Sequence, residues 1–296
     1  MLSNFNEVLE HAKKCESKRL VVADAAGKSV IEALRQAAEM GIITPILVGD
    51  ESKIKPLTEE IGLENARFVN KILPEEIAAT CVELIRDGDG DMIMKGKLST
   101  PILMKAILNK ETGLRKGKLL SHVAAVEVDG YPKILLVTDG GIVLNPDLGM
   151  KMSIIINALE VANGLGIETP KVACLAAIEK LDEKQPETFH AAQLSKMAER
   201  GQLGAVTVNG PVAMDVLLSH DAAKAKGLVT DITLDADILL VPDVPTGNAL
   251  VKALIYLADA KVGGLVMGAS CPIVLLSRSD TAEIKLCSIA LACIVC

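Results

Sequence analysis

The stretch PIVLLSRSDTAEIK (272–285) closes an apolar run on Ser277 and Arg278 and passes at once into a helical pattern. A hydroxyl, a guanidinium fork and the first amides of a helix meeting at one point suit an anion, phosphate above all. The same letters also describe a plain helix start, because Asp280 followed three residues later by Glu283 matches a capping box. ILLVPDVPTGNALVKAL (238–254) breaks in a similar way. There Asp243, Thr246, Gly247 and Asn248 stand between an apolar run and helical periodicity, where glycine permits close backbone approach and Thr or Asn can cap. VNGPVAMD, with Asn209, Gly210 and Pro211, reads as a strand end, a turn and a proline at a helix start. MKGKLSTP sets Lys95, Gly96 and Thr100 ahead of Pro101. Each of these strand ends also reads as a loop and nothing more. Together, with cations at two of them, they favour a shared anionic pocket.

The elements that must position these residues follow from periodicity. RLVVADA, TPILVGD, ARFVN, DMIMKG, KVACLAA, GAVTVNG, DILLVPD, GGLVMG and PIVLLS read as strands, most of them continuous apolar runs of the kind buried on both faces. KSVIEALRQAAEMG, PEEIAATCVELIRDG, LGMKMSIIINALEVANGLG, PETFHAAQLSKMAERG and GNALVKALIYLADA read as the helices between them. The alternation predicts an α/β fold with a mostly parallel sheet, whose ligands sit at the carboxyl ends of the strands. HVAAVEVDGYPKILLVTD reads as a hairpin turning at Asp129-Gly130-Tyr131-Pro132. The long helix after Asp147 is expected to bridge two lobes.

Composition removes several function classes. The 296 residues carry a net charge of -7, with 2% aromatics and no tryptophan, which argues against nucleic acid as a partner. Seven cysteines without CxxC spacing suit reduced, buried thiols in a cytoplasm, so neither disulfides nor zinc are expected. The charged N-terminal stretch does not read as a secretory leader. The apolar end KLCSIALACIVC is too short to cross a bilayer and is expected to dock on the core, with no membrane partner. Three signatures fail on spacing. AAGKS would need a glycine at Val22 to be a phosphate loop, DGDGD places Met92 and Leu98 where a calcium loop needs Gly and Glu, and no GxGxxG follows the first strand.

DMIMKGKLSTP, TVNGPVAMD, DADILLVPDVPTGNALVKAL and PIVLLSRSD, in this order and at these spacings, resemble the phosphate acetyl/butyryltransferase family, closest to its butyryl-transferring branch. The resemblance covers most of the chain, and PDVPTGN and LSR are its most specific parts. It implies a two-lobed α/β protein with an interlobe cleft, like the isocitrate and isopropylmalate dehydrogenases. The lobes are expected at 1–140 plus 275–296 and at 141–274. The implied reaction is reversible transfer of a short acyl group between coenzyme A and inorganic phosphate, butyryl-CoA plus phosphate giving butyryl phosphate plus CoA, through a ternary complex. Acetyl transfer is the alternative. Coenzyme A enters as a substrate, and no metal or redox cofactor is implied. A cytoplasmic homo-oligomer working beside an acyl (butyrate) kinase completes the expectation.

Carried over by position, Ser277 and Arg278 match the pair at the family's reaction centre, the arginine stabilising phosphate and the charge on the thioester carbonyl. The relatives' catalytic aspartate falls on Ile284 in an ungapped match, so Glu283 and then Asp280 are the candidate bases. Lys95, Gly96, Thr100, Asn209, Gly210, Pro211, Asp243, Thr246, Gly247 and Asn248 are the candidate substrate-binding residues. A covalent route through Cys271, a decarboxylating dehydrogenase and a non-catalytic small-anion binder are the competing readings.

Overall fold

The structure, a computed structural model, describes residues 1–117, 119–228, 230–277 and 280–296. Two compact units account for it, the first formed by Asn6–Lys118 with Gly263–Cys296 and the second by Met1–Phe5 with Leu119–Val262. The chain therefore divides upstream of both expected boundaries, 140/141 and 274/275.

The first unit opens with α1 (Phe5–Ala12), then alternates β1 (Lys18–Ala23), α2 (Lys28–Glu39), β2 (Ile43–Gly49), α3 (Glu51–Ile61), β3 (Arg67–Asn70), α4 (Pro74–Arg86), β4 (Met92–Lys95) and α5 (Thr100–Ile107). The second runs β5 (Ser121–Glu127), β6 (Leu135–Thr138), α6 (Leu148–Gly164), β7 (Lys171–Leu175), α7 (Pro186–Glu199), β8 (Thr207–Val212), α8 (Met214–Leu218), α9 (His220–Ala225), β9 (Ile238–Leu240) and α10 (Val244–Leu257). The chain then adds β10 (Lys261–Met267), β11 (Ile273–Val274) and α11 (Ala282–Val295).

In the first unit the strand order is β3-β2-β1-β4-β11-β10, parallel except for β10 against β11. The order in the second is β5-β6-β9-β7-β8, parallel except for the expected β5–β6 hairpin. Leu20, Val21, Val22 and Ala23 of β1 are all fully buried, which is why the parallel strands read as unbroken apolar runs. α2 turns Val30, Ile31, Ala33, Leu34 and Ala37 inward and packs on α11. α11 is buried on every side from Lys285 to Cys293, so the apolar C-terminal stretch is a core helix. No helix among the described residues is long and apolar enough to cross a membrane.

Four local expectations change. The strand expected over PIVLLS pairs only at Ile273–Val274. Pro211 does not open a helix: Asn209, Gly210 and Pro211 lie inside β8, and α8 begins at Met214. The helix expected from Gly247 starts at Val244 behind the cap Asp243, so Thr246, Gly247 and Asn248 form its first turns. α6, expected as a bridge, belongs wholly to the second unit, capped by Asp147 and packed on β5, β6 and β9.

Candidate active site

The candidate residues of the first unit gather at the carboxyl ends of three neighbouring parallel strands. Register pairs Ala23 of β1 with Lys95 of β4, and Met94 of β4 with Val274 of β11. Lys95, 6% exposed, donates from Nζ to the Gly96 carbonyl at 3.1 Å. Gly96 is a glycine for packing reasons: a Cβ there would lie 2.0 Å from the Asp24 carbonyl oxygen. Thr100 opens α5 behind Ser99 and ahead of Pro101.

From β11 the chain reaches Ser277, which is exposed. Arg278 lies outside the described residues. The residues flanking that position are tied together: the Ser277 amide donates to the Asp280 carboxylate at 2.7 Å, and the Asp280 amide donates to the Ser277 carbonyl at 3.2 Å. Asp280 is therefore not the cap of α11. Thr281 caps it, its hydroxyl accepting from the Ile284 amide at 3.2 Å, so the alternative reading of Asp280 and Glu283 as a capping box does not hold. Glu283 is exposed in the first turn and makes no hydrogen bond or ion pair among the described residues. Lys285, which the sequence reading passed over, is 4% exposed and donates from Nζ to the Asp280 carbonyl. Burial pushes its pKa below the usual lysine value, with Asp280 and Glu32 pulling the other way.

In the second unit the carboxyl ends of β7, β8 and β9 surround a cavity of about 700 Å³ lined by Leu175, Glu187, Ala213, Lys226, Asp243 and Thr246 among others. Asp243 caps α10, Oδ1 accepting from the Thr246 amide at 2.8 Å. Gly247 and Asn248 serve a different contact. A Cβ on Gly247 would lie 2.9 Å from both Gly140 Cα and Val241 Cγ2, and Asn248 Nδ2 donates to the Gly140 carbonyl at 3.3 Å. They seat α10 on the loop after β6, which the buried Asp139 organises by accepting from the amides of Gly141, Ile142 and Val143 at 2.7, 2.9 and 3.1 Å. Asn209, Gly210 and Pro211 shape β8 itself. The ladder passes from Ala173↔Asn209 to Leu175↔Val212, one extra residue on β8, and a Cβ on Gly210 would lie 2.7 Å from Cys174 Cβ.

Two further groups in this unit escaped the sequence reading. Lys151, 4% exposed, occupies the buried stripe of α6 with Ile154, Ile155, Ala158, Val161 and Ala162. That helical spacing was the signal that would have found it, since a lysine on such a stripe is rare. Burial pushes its pKa down, against the pull of Cys174, Glu187 and Asp243. His190 carries a buried Nδ1 with no partner among the described residues, and burial and Lys151 together lower its pKa. At the rim, Lys226 bridges Glu179 at 2.7 Å and Asp215 at 2.8 Å.

Cys271 is 7% exposed, and burial pushes its thiol up to about 12, which leaves almost no thiolate to act as a nucleophile. Among the described residues no group of three or more His, Cys, Asp or Glu side chains is placed to hold a metal ion.

Comparison with known proteins adds an independent line. The family model described as Phosphate acetyl/butaryl transferase matches residues 4–80 and 65–293. The chain is 42% identical over 297 residues to a phosphate butyryltransferase of Clostridium acetobutylicum, covering 100% of this chain and 99% of the relative. It is 40% identical over 292 residues to a phosphate acetyltransferase of Thermotoga maritima, covering 98% and 99%. Among solved structures, a branched-chain phosphotransacylase from Enterococcus faecalis V583 superposes with a TM-score of 0.84 at 30% identity, covering 94% of this chain and 98% of that one.

Proposed function

Because the chain belongs to the phosphate acetyl/butaryl transferase family, we propose that it transfers a butyryl group reversibly between coenzyme A and inorganic phosphate. The observation that carries this reading is the full-length likeness to the clostridial phosphate butyryltransferase. Both substrates are activated acyl compounds, so the protein mainly has to hold two anions in line, a contribution of up to roughly 7–11 kcal/mol to the barrier.

In the direction that consumes acyl phosphate, Glu283 takes the proton of the coenzyme A thiol. The thiolate sulfur attacks the acyl carbonyl, the carbon–oxygen bond to phosphate breaks, and phosphate leaves with that electron pair toward Arg278. That Glu283 has no partner among the described residues supports its place as base, since the Asp280 carboxylate is engaged by the Ser277 amide. Ser277 adds a hydroxyl beside Arg278, while Lys95, Thr100, Asp243 and Thr246 supply polar groups for substrate at the strand ends. Transfer is direct within a ternary complex, which the un-ionised Cys271 thiol favours over a cysteine-bound acyl group. The acyl phosphate is the substrate chemistry of an acyl kinase, which would act next.

The test is thiol release from butyryl-CoA and acetyl-CoA with and without phosphate. Phosphate-dependent release with the higher kcat/KM for butyryl-CoA is expected. A preference for acetyl-CoA would move the chain to the acetyl branch, and release that ignores phosphate would overturn the assignment.

A further inference from the structure

A groove between α4 and α5, within the first unit, takes no part in the transfer step above. Its volume is about 620 Å³, and its floor is apolar, formed by Ala78, Ala79, Val82, Pro101, Ile102 and Ala106. Glu75, Glu83, Arg86 and Lys105 line it with charge. All four are exposed, and none has an ion pair among the described residues. Ile72 and Leu73, immediately ahead of α4, and Leu108, immediately behind α5, are large apolar residues exposed as well.

The charges are sorted by end. Arg86, in the last turn of α4, donates from Nη1 at 3.4 Å to the carbonyl of Thr112, in the turn that folds back on the end of α5, so both helices finish at the same end of the groove. Lys105 stands in the last turn of α5, and Glu75 in the first turn of α4. Two cations against the single carboxylate of Glu83 leave the finishing end positive, while Glu75 makes the starting end negative. At 1.5 Å per residue, Glu75 and Arg86 lie about 16 Å apart along α4. A small ion can answer one end only. A partner that fits must present an anion at one end, a cation at the other and apolar groups between. The groove itself, turned end for end, presents that pattern, which is the condition for an isologous contact.

We propose that the groove between α4 and α5 is a two-fold contact between two copies of this chain, with Glu75 of each copy facing Lys105 and Arg86 of the other across the apolar floor. The axis makes every such pairing occur twice, and it sets Ile72 and Leu73 of one copy beside the Leu108 end of the other. The charges form the rim, and the alanine, valine and isoleucine groups form the centre from which water is excluded. The contact stands independently of the acyl-transfer reading.

Sedimentation velocity on the full chain tests this, with melting temperatures to confirm that each variant is folded. The wild type is expected to associate. Lys105→Glu and Glu75→Lys should each raise the dissociation constant of the contact by at least about tenfold, because either reversal sets like charges together twice across the axis. An equimolar mixture of these two variants should recover to within about threefold of the wild type, since every facing pair is again of opposite sign. Ala79→Arg keeps a strong helix former on α4 but fills the floor, so it should weaken association alone and in any mixture. Where a second face also joins copies, the variants lower the mass by half rather than to a single chain, and either fall supports the proposal. A wild type that sediments as one chain, variants that keep the wild-type mass, or a mixture that associates no better than its components would each overturn it.

Discussion

The carboxylates beside Arg278 are close in sequence but differently engaged. Asp280 holds the Ser277 amide, while Glu283 points from the first helical turn with no partner among the described residues. If Glu283 is the base toward the thiol, Glu283→Gln should lower kcat at least about 10²-fold and leave the melting temperature unchanged, a loss on the scale of general-base catalysis. Asp280→Asn retains an oxygen for the Ser277 amide, so its kcat should fall by less than about tenfold. The reverse ranking in steady-state assays would make Asp280 the base. Arg278→Ala should cost at least about 10²-fold in turnover, as for loss of an oxyanion donor, and Arg278→Lys should rescue only in part because the planar fork is gone. Near-normal turnover in the alanine variant would remove the arginine from the chemistry.

The start of α10 shows what an element demands of its residues. In an ordinary helix, alanine is more favourable than glycine by about 1 kcal/mol. At Gly247 the sign should invert: the added Cβ would sit 2.9 Å from Gly140 Cα, and overpacking of this kind costs about 1–3 kcal/mol. Urea unfolding of Gly247→Ala measures this directly, and a more stable variant would mean that the loop after β6 gives way. Asp243→Ala should cost about 1 kcal/mol through the lost cap. This segment also shows what could be read in the sequence. The strand–helix alternation and the hairpin were legible because burial on both sheet faces writes itself as apolar runs, as in β1 and β4. The start of α10 was misplaced because Val244-Pro245 reads as loop until Asp243 is seen to cap it. Gly210-Pro211 read as a strand end, since nothing local reveals that close packing on Cys174 keeps β8 going. Lys285 went unnoticed for a related reason, since only the fold brings its ammonium to the Asp280 carbonyl, whereas Lys151 was legible on the apolar stripe of α6 and was passed over.

Across the whole molecule, the buried thiols couple folding to alkaline pH. Burial holds Cys174, Cys271 and Cys293 protonated up to about 12, against an ordinary value of 9.0. Their folded-state pKa values are raised, so their contribution is fully present below pH 9.0 and is lost as pH climbs toward 12, because only the unfolded chain releases the protons. Each thiol then removes about 1.4 kcal/mol per pH unit, so these three remove about 4 kcal/mol per unit, with Cys81 and Cys296, also raised by burial, adding to the same fall, against the roughly 5–15 kcal/mol that holds a domain folded. The lowered pKa of Lys151 and Lys285 acts in the opposite sense, adding stability between their folded values and 10.5, so it softens the fall without reversing it. Urea titrations under reductant should therefore show stability flat from pH 7 to about 8.5 and falling steeply above 9. Cys174→Ala and Cys271→Ala should each shallow the slope by about 1.4 kcal/mol per pH unit, in different units of the chain. An alkaline limb whose slope ignores both substitutions would mean that these thiols ionise in the folded protein. The burial that denies Cys271 a nucleophilic role would then be lost as well.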